Sequence, residues 1–504
     1  MTRHSTTWGE VSAFLALFID NLGVLVFLSS ILIFTFHFPS DIIFTRMIPG
    51  TALGVLFGDL VYTWLALRLS RKTGRDDITA MPLGLDTPST IGLAFTVLGP
   101  AYVASGDAVL AWKIGMATLF IIGLVKIITS FLGGWVQRIV PTAGLMGSLA
   151  GIGLLLLGFL PMVEIFNSAI AGMVALGLIF YTLIGKMHLP GRLPGVMMAV
   201  LFGTGLHLLL GYSGLLPEFH RPVFEITPAL PVFSLDFLQA LPASIKYLPI
   251  AIPFAILTII GGINTTESAR LAGDTYKARD ILLTEAVSTI IAAFFGGVAQ
   301  TTPYIGHPAY KKMGATWRYT LATGLLIGIG ASAGLISLVV AIIPKAVLAP
   351  IFIFIGFEIV HQAYASVPDG HSPAVTFAFF PVIANLVMIY LGQFITPDAV
   401  PERLQSMYLS LTMLSNGFIL TAILWGGMVA CLIDRRSRKA AIYASACALF
   451  TLCGLMHSVF PSGEVYLPWD TPNRYSFTIS ASYLLLALIY LLPHKTPAAH
   501  DERS

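Results

Sequence analysis

The chain has 504 residues, 56% of them hydrophobic and 11% charged, with a mean hydropathy of +0.84 and a net charge of +3. Soluble domains carry roughly 25% charged residues, so this composition argues for a polytopic membrane protein, and so small a charge gives no case for a nucleic-acid partner. Cys431, Cys447 and Cys453 form no C-x-x-C pair and the histidines are scattered, so neither a disulfide framework nor a metal site is implied.

The first apolar run extends from Val11 to about Phe36. It is longer than a signal-peptide core and lacks a small-residue cleavage site, so it reads as a retained first span. About 20 apolar residues are needed per crossing. On that ruler long spans follow near 43–68, 109–135, 141–161, 168–185 and 194–213, then 247–272, 281–298, 318–343, 346–364, 372–396, 406–433, 440–460 and 476–493. Two more hydrophobic segments, 78–104 and 299–315, are interrupted by Pro and Gly. With both counted as crossings, about 16 are expected.

Charge supports that count. Arg68, Arg71, Lys72 and Arg75 share one loop, and Lys186 and Arg192 another. Arg270, Lys277 and Arg279 follow, then Lys311, Lys312 and Arg318, then Arg435, Arg436, Arg438 and Lys439. If both broken segments cross, every cluster falls on one side, which the positive-inside rule makes cytoplasmic. Both termini are then cytoplasmic, and a multi-pass protein of the inner (plasma) membrane is expected.

The two halves of the chain look related. At an offset of 203, the segment from Ile139 overlies that from Ile342, matching Pro141 with Pro344, Ala143 with Ala346, Leu145 with Leu348, Ile152 with Ile355 and Gly153 with Gly356. Two crossings before this shared stretch each half carries its broken segment. One reads "AMPLGLDTPSTIG" (Ala80 to Gly92), and the other includes "QTTPYIGHP" (Gln300 to Pro308). An odd number of crossings separates them, so the repeats are inverted. The expected organisation is a first repeat over 1–213 (spans 1–7), an extracytoplasmic connection over 214–246, and a second repeat over 247–435 (spans 8–14). Extra C-terminal spans and a tail fill 436–504.

Proline removes a backbone donor and pushes the preceding residue toward extended geometry. "QTTPYIGHP" is therefore expected to be extended, with a short helix beginning near Pro308. Such backbone is tolerated at membrane depth only where protein buries it or where it lines a polar cavity. Paired broken spans in corresponding positions point to a transporter binding site, with positive helix ends facing the substrate.

The order of segments, and above all "STIIAAFFGGVAQTTPY" (Ser288 to Tyr304), resembles the nucleobase-ascorbate transporters, or xanthine/uracil permeases, over roughly residues 10–435. The resemblance implies an all-α polytopic fold of seven plus seven inverted spans with core and gate domains. The third and tenth spans pair as short strands that continue into half-helices. It further implies uptake coupled to H+ or Na+, no cofactor, and a homodimer formed through the gate domain. Sulfate-permease-type anion transporters are similar in fold, so fold alone does not give the substrate. The chain also departs from the pattern: Gly261 and Gly262 stand where the family's eighth span carries a carboxylate, and "IGHP" occupies the start of the tenth half-helix.

Ionisable residues inside spans are costly and suggest function by default. The substrate-binding candidates are Asp86, Thr87, Asn264, Thr265, Glu267, Thr302, Tyr304 and His307. Asp20, Asn21, Asp86, Glu267 and His307 are the candidates for ion coupling. Plainer readings stand beside these: Asp86 as a helix cap, Glu267 as a partner of Arg270 or Lys277, and Asp20 and Asn21 as buried hydrogen-bonding groups. Asp59, Lys113, Lys126, Glu285 and Glu358 read as interhelical pairs. The functional expectation is a secondary-active transporter of a small polar solute, first a nucleobase-like heterocycle. An inorganic or organic anion carried by a sulfate-permease-type transporter is the alternative, and a passive channel is a further one. No enzyme is expected, because the tight acidic pair Asp76 and Asp77 lies in a basic loop.

Overall fold

A computed structural model describes residues 3–132, 142–190, 195–216, 226–304, 306–471 and 473–492, together with Phe219 and Arg221. Among these the chain is almost wholly helical, an all-α polytopic membrane protein of the inverted-repeat type. Eight helical stretches are long and apolar enough to cross a bilayer, or ten if two sharply bent pairs each count as one. The sequence expectation of about 16 counts more because several of its spans are shorter or broken, such as Ala278–Phe294 with 17 residues and Tyr475–Tyr490 with 16. Part of the 139–156 repeat stretch, Ile139 to Pro141, and part of the 214–246 connection lie outside the described residues.

The elements that build the site are α1 (Arg3–Ser30), α2 (Ile48–Thr73), β1 (Leu83–Leu85), α3 (Thr87–Leu93), α4 (Ala108–Phe131), α5 (Leu248–Leu271), α6 (Ala278–Phe294), β2 (Thr301–Pro303), α7 (His307–Lys312) and α8 (Arg318–Ser332). The chain divides into two compact units. The first comprises residues 1–139 and 149–362 and holds all ten of these elements; the second comprises 140–148 and 363–504.

In the first unit α2 and α6 approach closely because glycines line the contact. A Cβ on Gly50 would fall 2.2 Å from the Phe295 carbonyl oxygen, and one on Gly54 would fall 2.9 Å from that of Ser288. Small residues allow this backbone approach, which takes the place of the hydrophobic drive that is missing between helices in lipid. Gly153 and Gly356, matched in the sequence comparison of the halves, also meet directly: the Gly153 carbonyl oxygen lies 2.3 Å from where a Gly356 Cβ would be. In the second unit the helix Ser437–Leu452 packs along Tyr475–Tyr490, so the extra spans join that unit. There the buried His457 ring contacts the Tyr483 hydroxyl at 2.8 Å, and that oxygen accepts Trp425 Nε1–H at 2.7 Å.

Candidate functional site

The two broken segments meet as an antiparallel strand pair, Leu83 opposite Pro303, Gly84 opposite Thr302 and Leu85 opposite Thr301. Each strand is buried throughout. The pair continues past the strands, with the Asp86 N–H donating to Gln300 O at 2.9 Å and the Tyr304 N–H to Pro82 O at 2.9 Å. Two short strands cannot satisfy all their own backbone groups, and Asn21 on α1 completes the outer edge of β1. Its Oδ1 accepts the Leu85 N–H at 3.0 Å, and its Nδ2 donates to Leu17 O at 3.0 Å and Leu83 O at 3.4 Å. Tyr304 closes the other face. Its hydroxyl donates to Leu85 O at 3.0 Å and faces the half-buried Asp20 carboxylate. Its ring lies over Gly84, where a Cβ would come within 2.3 Å of Cζ, so only glycine fits at the centre of β1.

Asp86 follows the last residue of β1 and caps α3: its Oδ2 accepts the Ser89 N–H at 3.0 Å. Pro88 at the start of that helix has no N–H to satisfy and is preset to helical geometry. α3 continues through a π-helical turn, Ala94–Leu98, into Gly99–Ser105, giving one long half-span. Around Asp86 two buried polar atoms have no hydrogen-bond partner, Thr90 Oγ1 and Gln300 Nε2. The Gln300 side chain faces Asp86, and its Oε1 accepts from the Thr258 hydroxyl at 3.4 Å. Thr87 and Thr302 are buried beside them. On α5, Thr265 donates to Gly261 O at 2.9 Å, while a Cβ added to Gly261 would meet open space.

Beneath β2 lies a fully buried ion pair. Lys126 on α4 is 2.7 Å from the Glu285 carboxylate on α6, and Lys126 Nζ also donates to Thr301 O at 2.7 Å. Burying either charge alone would cost several kcal/mol, so the ammonium and carboxylate are mutually required. Pairing within the spans is what the sequence suggested for these two.

Other predicted residues sit elsewhere. Asn264 is exposed, and Glu267 is exposed and paired with Arg270 at the end of α5. His307 opens α7, but its Nε2–H points to the Thr79 carbonyl at 3.1 Å with Asp274 at 3.4 Å. It belongs to a network at the loop ends: Lys311 donates to both Asp274 oxygens at 2.7 and 2.9 Å, the Thr79 N–H donates to Asp274 at 3.1 Å, and Arg75 holds Asp77 at 2.7 Å. Burial pushes Asp274 upward, but the hydrogen bonds from His307, Lys311 and the Thr79 amide outweigh it, leaving the carboxyl below its usual range. The Arg75 guanidinium holds Asp77 down at about 2. The structure thus gathers Asp20, Asn21, Asp86, Thr87, Thr302 and Tyr304 around the strands and leaves Asn264, Glu267 and His307 apart. Gln300 and Lys126 were not among the predicted site residues. A glutamine in an apolar approach to proline was the available signal for the first; the second needed the fold.

No protein-family model and no curated protein matches this chain. Solved structures do. The transmembrane domain of a cyanobacterium bicarbonate transporter, BicA, superposes with a TM-score of 0.55 at 17% identity, over 79% of this chain and 98% of that one. This chain shares the fold of that domain. The overall structure of SLC26A9 matches with a TM-score of 0.51 at 11% identity, covering 96% of this chain and 66% of that one. The murine Slc26a9 anion transporter in the inward-facing state gives 0.51 at 13% identity, covering 78% and 68%. This chain therefore spans about two thirds of the length of those SLC26A9 chains. At such identities the likeness is one of fold, and the substrate must be argued from the site.

Proposed function

We propose that this protein is a secondary-active carrier of a small anion, bound at the crossing of β1 and β2. One observation carries the reading: unpaired donor capacity gathers at a half-helix start directly over a buried ammonium. Thr90 Oγ1 lacks a partner, the Gln300 amide group faces Asp86 with a second N–H to spare, and Lys126 lies under Thr301. Asp86 already caps the start of α3, so the side-chain donors and the ammonium are the groups that favour a negative ligand here. The fold shared with a bicarbonate transporter and an anion transporter supports the same substrate class.

Acids outnumber the base at this crossing. Asp20, Asp59, Asp86 and Glu285 surround the strand pair, against Lys126. An anion entering alone would be repelled, so the anion reading entails a co-bound cation, H+ or Na+. Asp86 favours a second reading, in which its half-buried carboxylate accepts from an N–H-rich heterocycle of the xanthine/uracil type. The deciding experiment is thermal-shift stabilisation of the purified protein by chloride, bicarbonate, sulfate and dicarboxylates against purines and pyrimidines, because a ligand of the folded state raises apparent stability by mass action. Stabilisation by an anion that is lost in Gln300→Ala supports the proposal. Stabilisation by a nucleobase alone overturns it in favour of the second reading.

A further inference from the structure

Asp59 lies in mid-α2, fully buried, and among the described residues neither carboxylate oxygen has a side-chain partner. It is wedged between β1 and α8. The Leu83 N–H reaches it from β1 as a hydrogen-bond donor, a neutral group that supplies no counter-charge, and the Leu83 side chain packs on the adjacent Gly58. From α8, Gly324 comes so close that a Cβ there would sit 2.7 Å from the Asp59 Cβ and 3.3 Å from Oδ2.

The titratable groups around it are phenols: Tyr62 on its own helix, Tyr310 on α7 and Tyr319 on α8. Two of these have committed their protons, Tyr62 to Ile281 O at 3.0 Å and Tyr319 to Ala80 O at 2.7 Å. Among the described residues no lysine, arginine or histidine pairs with Asp59. Glu285 is equally buried but has Lys126 at 2.7 Å. An ionised carboxylate with no counter-charge is among the costliest groups to bury, whereas its acid form is an ordinary buried polar group.

We propose that Asp59 is the binding site of the coupled proton. In this packed arrangement the carboxyl carries one proton. In the transport cycle the carboxylate takes that proton from a hydronium ion on one side of the membrane, leaving water, and returns it to water on the other side. The proposal rests on the anion-carrier reading, because the proton offsets the negative charge that the substrate brings to the crossing. The alternatives are otherwise engaged: Asp86 caps Ser89, Glu267 pairs with Arg270, His307 is held in the loop network, and Asp20 faces Tyr304.

The test has two arms. In the first, infrared spectra of the purified, substrate-free protein are recorded near neutral pH. A protonated-carboxyl C=O band is expected that disappears in Asp59→Asn and persists in Glu285→Gln; a spectrum unchanged by Asp59→Asn overturns the proposal. In the second, labelled sulfate or chloride uptake into proteoliposomes is driven by a one-unit pH gradient, acid outside. One proton per anion allows up to about tenfold accumulation, since one unit is about 1.4 kcal/mol. Asp59→Asn should abolish this accumulation and retain anion–anion exchange; accumulation equal to wild type would overturn the proposal. If the wild type transports neither anion, the carrier reading fails and the infrared arm still decides whether Asp59 holds a proton. Should Asp59→Asn not fold, Asp59→Ala, which introduces no new donor, replaces it in both arms.

Discussion

On one flank of the crossed strands a buried acid, Glu285, meets a buried base; on the other flank Asp59 meets a glycine. Both flanks touch the first residue of a strand, Lys126 at Thr301 and Asp59 at Leu83. The paired flank ties its strand with a charge-assisted hydrogen bond, while the unpaired flank holds a carboxyl that the neutral Leu83 N–H reaches but that no cation among the described residues pairs. A buried pair is of little net benefit against an apolar replacement, but breaking one is expensive. The difference teaches that one flank is built to hold its strand and the other to change its charge.

The largest expected effect comes from making the paired flank resemble the other. Lys126→Met should destabilise the protein by about 4 kcal/mol, because Glu285 would be left as a lone buried acid. Adding Glu285→Leu should recover most of that loss. Thermal unfolding of the purified variants checks both, and a single mutant as stable as the double would refute the pairing argument.

A second perturbation acts on the unpaired flank. Gly324→Ala puts a methyl group against Asp59 at 2.7 Å, and overpacking of this kind costs roughly 1–3 kcal/mol. The same substitution at Gly261, where a Cβ meets open space, should leave thermal stability nearly unchanged.

The loop network sharpens the contrast by showing charges paired near water. Asp77 and Asp274 both have folded-state values below the ordinary 3.8. Their contribution to stability is therefore present above that value and is lost as the pH falls from about 4 toward the 2 of Asp77. A melting temperature that declines with acid over this window in wild type, and less steeply in Asp274→Asn, is the expected outcome. The smallest effect belongs to Glu267→Gln: its exposed pair with Arg270 is screened by solvent, and thermal unfolding should scarcely register its loss.

The breaks were legible in the sequence because proline and glycine act locally on the backbone; their meeting as a strand pair was implied only by the family resemblance. "DTP" even carries its own cap, since Asp86 stands next to the first turn it serves. The prolines place both breaks, and His307 does open a helix, but the strand ends set which residues stand at the crossing. Asp86 directly follows β1, and the residue that directly follows β2 is Tyr304. By position 307 the chain has already left the crossing for the loop network. In "FIDNLG" both polar residues were noticed, but only helix phase assigns Asn21 to the strand edge and Asp20 to Tyr304. The inequality of Glu285 and Asp59 was out of reach, because it depends on which helix passes overhead and on whether that helix offers a lysine or a glycine.

The central claim, a proton-coupled anion carrier, is tested most directly by gradient-driven uptake. Proteoliposomes containing the wild-type protein would be loaded at neutral pH, placed one pH unit lower, and assayed for labelled sulfate or chloride with and without a protonophore. Accumulation of up to about tenfold that collapses when the protonophore is added is the predicted result. Uptake that merely equilibrates, unaffected by the gradient and without saturation, would contradict the account and identify a passive pore.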